Sequence, residues 1–382
     1  MGPESRRILS IINQFVFVPA PSARVQIPVA ALRFPVRIGS RVTVKTAPLH
    51  SRGVPALKDI GEREAVEQLK RILDRGLPIG LGHDVGVVDW GEDFLAVTTD
   101  AVNVRTHIPP GTTPTQIGWY LVAVNLSDIA ASGARPLGFV AALALPRETD
   151  LEVLKGIARG MDECARQFGI AIIGGDTKES SDMTLAGTAL GRVPKARILL
   201  RSGARPGDIV VVTGDLGRAG WAWRALSDSA RRTEALELLM RPYPRVEEGI
   251  FFSESGAVTS CMDISDGLGT TVYQMSQASK VSFVIDYDAI PVYRGLKDAD
   301  RKTIEDLAVY YGGDYELLAT VNPDRLAALL EKYRQTKGIE ERHKLTVIGK
   351  VEGKGGNRLY SKRGGTVPLE NRGWEHFRPS HP

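Results

Sequence analysis

Residues Pro114-Thr115-Gln116-Ile117-Gly118-Trp119-Tyr120-Leu121-Val122-Ala123-Val124-Asn125-Leu126-Ser127-Asp128-Ile129-Ala130-Ala131 are the stretch from which the fold class can be read. Proline at a first helical position gives up no needed amide, and its fixed φ suits a helix start. Ile117, Tyr120, Leu121 and Val124 recur at helical spacing, which predicts one buried side. Gly133 and Pro136 end the pattern. Asn125 and Asp128, three apart, share one face near the C-terminal part of this apolar helix.

Outward from the helix, strand and helix signals alternate. Residues 94–97 and 139–145 read as strands. Asp150 is placed to cap a helix with Leu151, Leu154, Ile157, Met161, Cys164 and Phe168 at core spacing, closed by Gly169. Residues 170–173 read as a buried strand running into Gly174-Gly175-Asp176-Thr177, and residues 183–193 return as another. Upstream, Ala65, Val66, Leu69, Ile72 and Leu73 predict a helix stopped by Gly76. This alternation predicts an α/β domain. Residues 194–206 are basic and turn-rich and mark a boundary. Strands are then expected over 209–213, 259–264, 281–285, 315–321 and 345–351, with helices near 235–240, 245–255, 269–278 and 325–333. The expected organisation is an extension over 1–56, a first domain over 57–195 and a second α/β domain over 196–382.

The chain has 382 residues, 43% of them apolar, enough for two cores. No run approaches the ~18 uninterrupted apolar residues of a membrane span. Cys164 and Cys261 form no CxxC pair, which excludes a thiolate zinc site or a disulfide framework and fits a cytoplasmic setting. The net charge of +4 conceals an asymmetry: residues 1–54 carry +7 and the remainder −3. A basic total is therefore no argument for nucleic-acid binding by the body of the chain. Arg6-Arg7 and the apolar residues after them loosely imitate an export signal, but Asn13 and Gln14 interrupt it. A basic, poorly structured arm is the expectation for 1–56.

Five acidic segments stand where elements give way to loops: Gly82-His83-Asp84, Thr98-Thr99-Asp100, Asn125-Leu126-Ser127-Asp128, Gly174-Gly175-Asp176-Thr177 and Asp263-Ile264-Ser265-Asp266-Gly267. Spread over about 180 residues, they cannot be one EF-hand loop, whose ligands lie within about twelve. A single Asp at a strand end is ordinarily a turn or cap residue. As a converging set they would make a cage of hard oxygen ligands suited to Mg2+ and a polyphosphate. A GxxxxGK[ST] loop is absent, so a triphosphate would be held through metal rather than a Walker-type cradle. Gly214, Gly217 and Gly220 have the wrong spacing for GxGxxG and read as a tight strand-to-helix turn.

Taken in order, these segments resemble the thiamine-monophosphate kinase family, whose superfamily includes aminoimidazole ribonucleotide synthetase and selenophosphate synthetase. The similarity covers about residues 57–377. Its most specific pieces are residues 123–131, Gly174-Gly175-Asp176-Thr177, Ile264-Ser265-Asp266-Gly267-Leu268, Gly312-Gly313-Asp314-Tyr315-Glu316-Leu317-Leu318 and Gly373-Trp374-Glu375-His376-Phe377. The resemblance implies an α/β (α+β), two-domain aminoimidazole ribonucleotide synthetase-like fold, with N-terminal sheets joined into a barrel across a homodimer. It implies transfer of the ATP γ-phosphoryl to thiamine monophosphate, with several Mg2+ ions and no nucleic-acid or membrane partner. Carried over by position, Asp84, Thr98, Thr99, Asp100, Asp128, Asp176, Asp263 and Asp266 are expected as metal ligands. Asp84, Gly175, Asp176, Arg201 and Ser265 are expected at ATP, and His107, Gly313 and Trp374 at the substrate. An aromatic at 374 suits a cationic thiazolium and a flat pyrimidine. No separate catalytic side chain is expected, because phosphoryl transfer needs positioning and charge neutralisation.

Two positions depart from the family pattern. His83 stands where an acid is usual, and Gly313 stands where a substrate-contacting Glu is usual; Asp314 or Glu316 is a candidate replacement. The alternatives are another ATP-using enzyme of the superfamily or a catalytically silent nucleotide-binding protein. Against selenophosphate synthetase, residues 1–60 hold no Cys; against the hydrogenase-maturation relatives, the sequence ends without one.

Overall fold

The computed structural model describes residues 55–74, 76–336 and 344–377; most of the extension expected over 1–56 lies outside them. In chain order the helices are α1 (Leu57–Leu73), α2 (Pro114–Ala131), α3 (Leu151–Gln167), α4 (Arg218–Ala225), α5 (Arg232–Met240), α6 (Val246–Ser255), α7 (Leu268–Ser279), α8 (Arg301–Ala308) and α9 (Pro323–Gln335). The first sheet holds β1 (Gly86–Trp90), β2 (Asp93–Asn103), β3 (Arg135–Leu145), β4 (Ile172–Glu179) and β5 (Thr184–Pro194), in the order β1-β2-β5-β3-β4. The second holds β6 (Ile209–Thr213), β7 (Val258–Asp263), β8 (Ser282–Asp286), β9 (Leu317–Val321), β10 (Leu345–Glu352), β11 (Arg358–Ser361) and β12 (Gly365–Pro368), in the order β12-β11-β8-β10-β6-β9-β7. This is mixed α/β architecture with two sheets, as the alternation implied.

The first sheet is covered on one side. Along β5, Leu185, Gly187, Ala189, Gly191 and Val193 are buried while the residues between them are at least partly exposed, the alternation of a half-buried strand. The buried side receives α2. That helix starts as predicted, with Pro114 in its first turn and a reciprocal cap between Thr113 and Gln116. Its burial is not one-sided: Trp119, Val122, Ala123, Leu126 and Ile129 are buried as well. A helix that is apolar all round belongs inside a core. α2 packs between the first sheet, α3, α6 and β7, and Trp119 Nε1 donates to the carbonyl of Pro242 at 3.0 Å. One apolar cluster accordingly joins Leu121, Phe139 and Leu185 to Phe252, Cys261 and Leu317.

Several expectations need correction. The segment expected as a buried strand over 170–173 is an exposed edge strand that runs on through Gly174-Gly175-Asp176-Thr177 to Glu179. β2 likewise continues past Val97 to Asn103. Asp150 precedes α3 but makes no side-chain cap, and Leu151 is exposed. The helix expected around Ala65–Leu73 is present as α1 and ends before Gly76; its apolar stripe at Val66, Leu69, Ile72 and Leu73 is exposed, because it meets the body through polar side chains beyond a kink at Gly61.

Helices α2 and α3 approach at glycines. A Cβ on Gly118 would lie 1.9 Å from the Ile157 carbonyl oxygen, and one on Gly160 the same distance from that of Thr115. Both obstacles are backbone, so a side chain can enter only by moving a helix. Alanine in a helix interior is worth ~1 kcal/mol over glycine, yet overpacking a close contact costs about 1–3 kcal/mol. With clashes of 1.9 Å against backbone the upper end of that cost applies, so Gly118→Ala and Gly160→Ala should each lower stability by about 2 kcal/mol net. A denaturant titration giving either variant unchanged or raised stability would contradict this packing.

Candidate active site

β2 delivers two side chains to the α2 face and one to the opposite face. Strand alternation puts Thr98 and Asp100 on the helix side. Thr98 Oγ1 donates to Asp128 Oδ2 at 2.6 Å, and the Asp100 amide donates to Asn125 Oδ1 at 3.0 Å. Thr99 points the other way, where its hydroxyl donates to the carbonyl of Gly187 at 2.7 Å. From α2, Asn125 and Asp128 therefore face the sheet together, as their spacing predicted. Ser127 turns toward the second sheet and donates to Asp263 Oδ2 at 2.6 Å, at the end of β7.

These contacts bring three carboxylates together. One oxygen from each of Asp84, Asp128 and Asp263 lies within 4.8 Å of the others. Arg201 answers part of the charge: Nη2 donates to Asp84 Oδ1 at 2.9 Å and Nη1 to Gln274 Oε1 at 2.5 Å. His83, the departure beside Asp84, accepts the Arg201 amide on Nδ1 at 3.3 Å.

The electrostatics follow from crowding in a dry place. Burial, then the charges of Asp100, Asp263 and Asp84, hold the Asp128 carboxyl well above its ordinary range. Burial and Asp84 push Asp263 to about 7, with the Ser127 hydrogen bond opposing. Burial and Glu62 raise Asp100 and bring Asp266 to about 6. Buried carboxylates facing one another, with hydroxyl and carbonyl oxygens around them, fit a hard divalent cation, whose charge reverses the penalty that raises them.

The loop holding Ser265 and Asp266 is zipped to residues 312–316. The Gly313 amide donates to the Ser265 carbonyl at 2.7 Å, the Tyr315 amide to the Ile264 carbonyl at 3.0 Å, and the Ile264 amide to the Glu316 carbonyl at 2.7 Å. Gly313 has φ +97°, a conformation that disfavours any side chain, and a Cβ there would meet Ala219 at 3.2 Å. The candidate replacements for its missing carboxylate are otherwise engaged. Asp314 accepts the Gly217 and Ala219 amides at the start of α4. Glu316 is buried in an ion pair with Arg245 and accepts from Thr213 at 2.7 Å.

Asp176 and Gly175 stand apart from the cage within this chain. Asp176 pairs with Ala142, Ala142 with Ala186, and Ala186 with Ala101, three strand spacings from the neighbour of Asp100. At ~4.8 Å per strand that is roughly 14 Å. Asp176 is exposed and pairs with Lys178 at 3.3 Å. The missing side chain of Gly175 leaves room for the Ala141 carbonyl, 2.2 Å from where its Cβ would sit.

At the other end of the site, His107 and Trp374 are linked by a residue the sequence reading left without a role. The His376 ring is 5.4 Å from that of His107 and 5.7 Å, edge-on, from that of Trp374. Trp374 is 42% exposed, so one side is free. Burial, then His376, holds the His107 imidazole below its usual value. Glu62, Arg63, His376 and Gln274 carry no motif of their own; the signal for His376 was its place in the closing Gly373-Trp374-Glu375-His376-Phe377.

Comparison with known proteins accords with this arrangement. Residues 82–193 match the family described as AIR synthase related protein, N-terminal domain, and 205–362 its C-terminal domain. The thiamine-monophosphate kinase of Pyrococcus abyssi is 37% identical over 301 residues, 78% of this chain and 90% of that protein. The solved thiamine-monophosphate kinase of Stenotrophomonas maltophilia K279a is 31% identical with a TM-score of 0.65, covering 77% of this chain and 94% of that one. The structure of AaThiL complexed with AMPPCP and TMP matches with a TM-score of 0.72 and 25% identity, over 85% of this chain and 99% of that one. With the fold, the converging acids and these relatives in agreement, the chain belongs to the thiamine-monophosphate kinase family of enzymes, within the AIR synthase related proteins.

Proposed function

We propose that this enzyme transfers the γ-phosphoryl group of ATP directly to the phosphate of thiamine monophosphate, giving thiamine diphosphate, with Mg2+ held in the acid cage. The observation that carries the reading is the convergence of Asp84, Asp128 and Asp263 from three separate elements. Asp100 and Asp266 stand close enough to feel the same charges, and Thr98 orients Asp128. Mg2+ bound there would neutralise phosphate charge and align the reacting groups. Arg201, when its carboxylate partner turns to a cation, is free to pair with a phosphate oxygen, and Ser265, next to Asp266 in sequence, is the further expected ATP contact. His107, His376 and Trp374 take the thiamine rings, and Gly313 is the remaining expected substrate contact.

A homodimer belongs to this reading. The edge strand β4, with Gly175 and Asp176, is exposed, as are Val88, Trp90, Leu137 and Ile173 on the same sheet. A second copy seated there would cover them and could bring Asp176 to a nucleotide. No helix among the described residues is long and apolar enough to cross a membrane, and ATP as phosphoryl donor suits a cytoplasmic enzyme.

Asp128→Asn keeps the shape and removes one charge. Turnover of thiamine monophosphate with ATP and Mg2+ should fall at least ~100-fold, ~2.7 kcal/mol of transition-state stabilisation. Near-normal turnover at sub-saturating Mg2+ would remove the basis of the reading.

Asp263 titrates at about 7 in the fold against ~3.9 in an unfolded chain. What the fold favours is therefore the protonated form, whose contribution is full below pH ~4 and lost as pH rises through ~7. Without metal, the melting temperature relative to Asp263→Asn should decline between about pH 4 and pH 7. Added Mg2+ should restore it at the upper end, because binding favours the ionised acids. A pH-independent difference between the two proteins would contradict the assigned environment.

A further inference from the structure

Helix α1 breaks at Gly61, where φ is 79° and ψ 173°, and the two residues after the break reach across more than 300 positions of sequence. Glu62 Oε2 accepts the His376 amide at 3.0 Å. The Arg63 amide donates to Glu375 Oε1 at 3.3 Å, Nη1 to Asn371 Oδ1 at 3.0 Å, and Nη2 to Thr270 Oγ1 at 3.1 Å. The gripped segment is also seated from below. Trp374 donates its amide to the Asp266 carbonyl at 3.2 Å, and a Cβ on Gly373 would fall 2.2 Å from Thr270 Oγ1. Trp374 and His376 are thus held by a dipeptide from the other end of the described chain.

Glu62 does more than hold. Its carboxylate is fixed on the backbone of His376, whose ring lies 5.4 Å from that of His107 and 5.7 Å from that of Trp374. The carboxylate therefore lies against the aromatic cluster, in a tail segment whose Trp374 amide donates to the Asp266 carbonyl. Gly313 contributes no carboxylate to that region, and Asp314 and Glu316 are bound elsewhere. A flat organic cation next to aromatic rings is best held by a carboxylate that cannot swing away, and Glu62 is tethered by its own bond to the His376 amide.

We propose that Glu62 is the carboxylate that faces the thiazolium cation of thiamine monophosphate, and that Arg63 holds Trp374 in place beside it. The proposal rests on the kinase reading above. It makes the junction of Gly61-Glu62-Arg63 with Gly373-Trp374-Glu375-His376 the device that selects the acceptor substrate.

The test is steady-state kinetics of the full chain, varying thiamine monophosphate, ATP and Mg2+ in turn. Glu62→Gln keeps an oxygen for the His376 amide and removes only charge. Its KM for thiamine monophosphate should rise about tenfold or more while that for ATP holds still, since one substrate alone loses a contact. Glu62→Asp retains a carboxylate and should recover part of the loss, which a purely structural role would not reproduce. Arg63→Ala should raise the same constant through a displaced Trp374. An unchanged KM for thiamine monophosphate in Glu62→Gln would overturn the proposal. So would equal damage to both substrates, or a shift confined to the Mg2+ half-saturation point, which would make Glu62 a metal ligand. A wild type that does not phosphorylate thiamine monophosphate defeats the kinase reading and this proposal together. A working wild type with an unaffected Glu62→Gln defeats this proposal alone.

Discussion

A helix buried on all sides that nevertheless carries Asn125, Ser127 and Asp128 is the constraint on which the rest of the structure depends. Each of these polar groups needs a partner, since a buried unsatisfied donor or acceptor costs about 1–3 kcal/mol. Asn125 finds the Asp100 amide and the Leu121 carbonyl; Ser127 finds Asp263; Asp128 finds Thr98. The partners belong to both sheets. A turn of α2 about its axis by one residue would break the bonds to Asp100, Asp263 and Thr98 at once. The same bonds that pin the helix in the core therefore set the geometry of the acid cage.

The cage itself works against the fold that builds it. Asp128 and Asp263 are forced toward their neutral forms by burial and by one another. Natural proteins tolerate such frustration where activity needs it. Here apolar packing absorbs the strain: the cluster around Leu121, Phe139 and Leu185 is continuous with that around Phe252 and Leu317. Arg201 supplies partial relief through its bond to Asp84.

The ends of the described chain close the site, and they do so with polar contacts. α1 leaves its apolar residues outward and inserts Glu62 and Arg63. Hydrogen bonds of this kind specify direction and distance in a way that apolar contact does not, which suits a segment whose task is to place Trp374 and His376. The glycines at 61 and 373 serve the same end, one by bending the helix and the other by letting the tail lie against Thr270.

Much of this was readable from the chain alone. The start of α2, the shared face of Asn125 and Asp128, the alternation of strands with helices and the acidic segments all follow from local periodicity and residue chemistry, which act over a few residues. The family resemblance rested on those same short segments. Where the reading failed, the deciding information was not local. β2 was expected to stop at Val97; because it runs on, alternation sends Thr99 to the face opposite Thr98 and Asp100. β4 was expected to be buried, but burial depends on its place in the sheet order, and at the edge it carries Asp176 some three strands from the cage. The helix of α1 was read correctly from its stripe, but period says only that one side is apolar, not that anything covers it. The convergence of Asp84, Asp128 and Asp263, and the meeting of Glu62 with His376, join residues separated by 44 to 314 positions. Such meetings are fixed by how helices seat on sheets, a sum over the whole core that no single segment encodes.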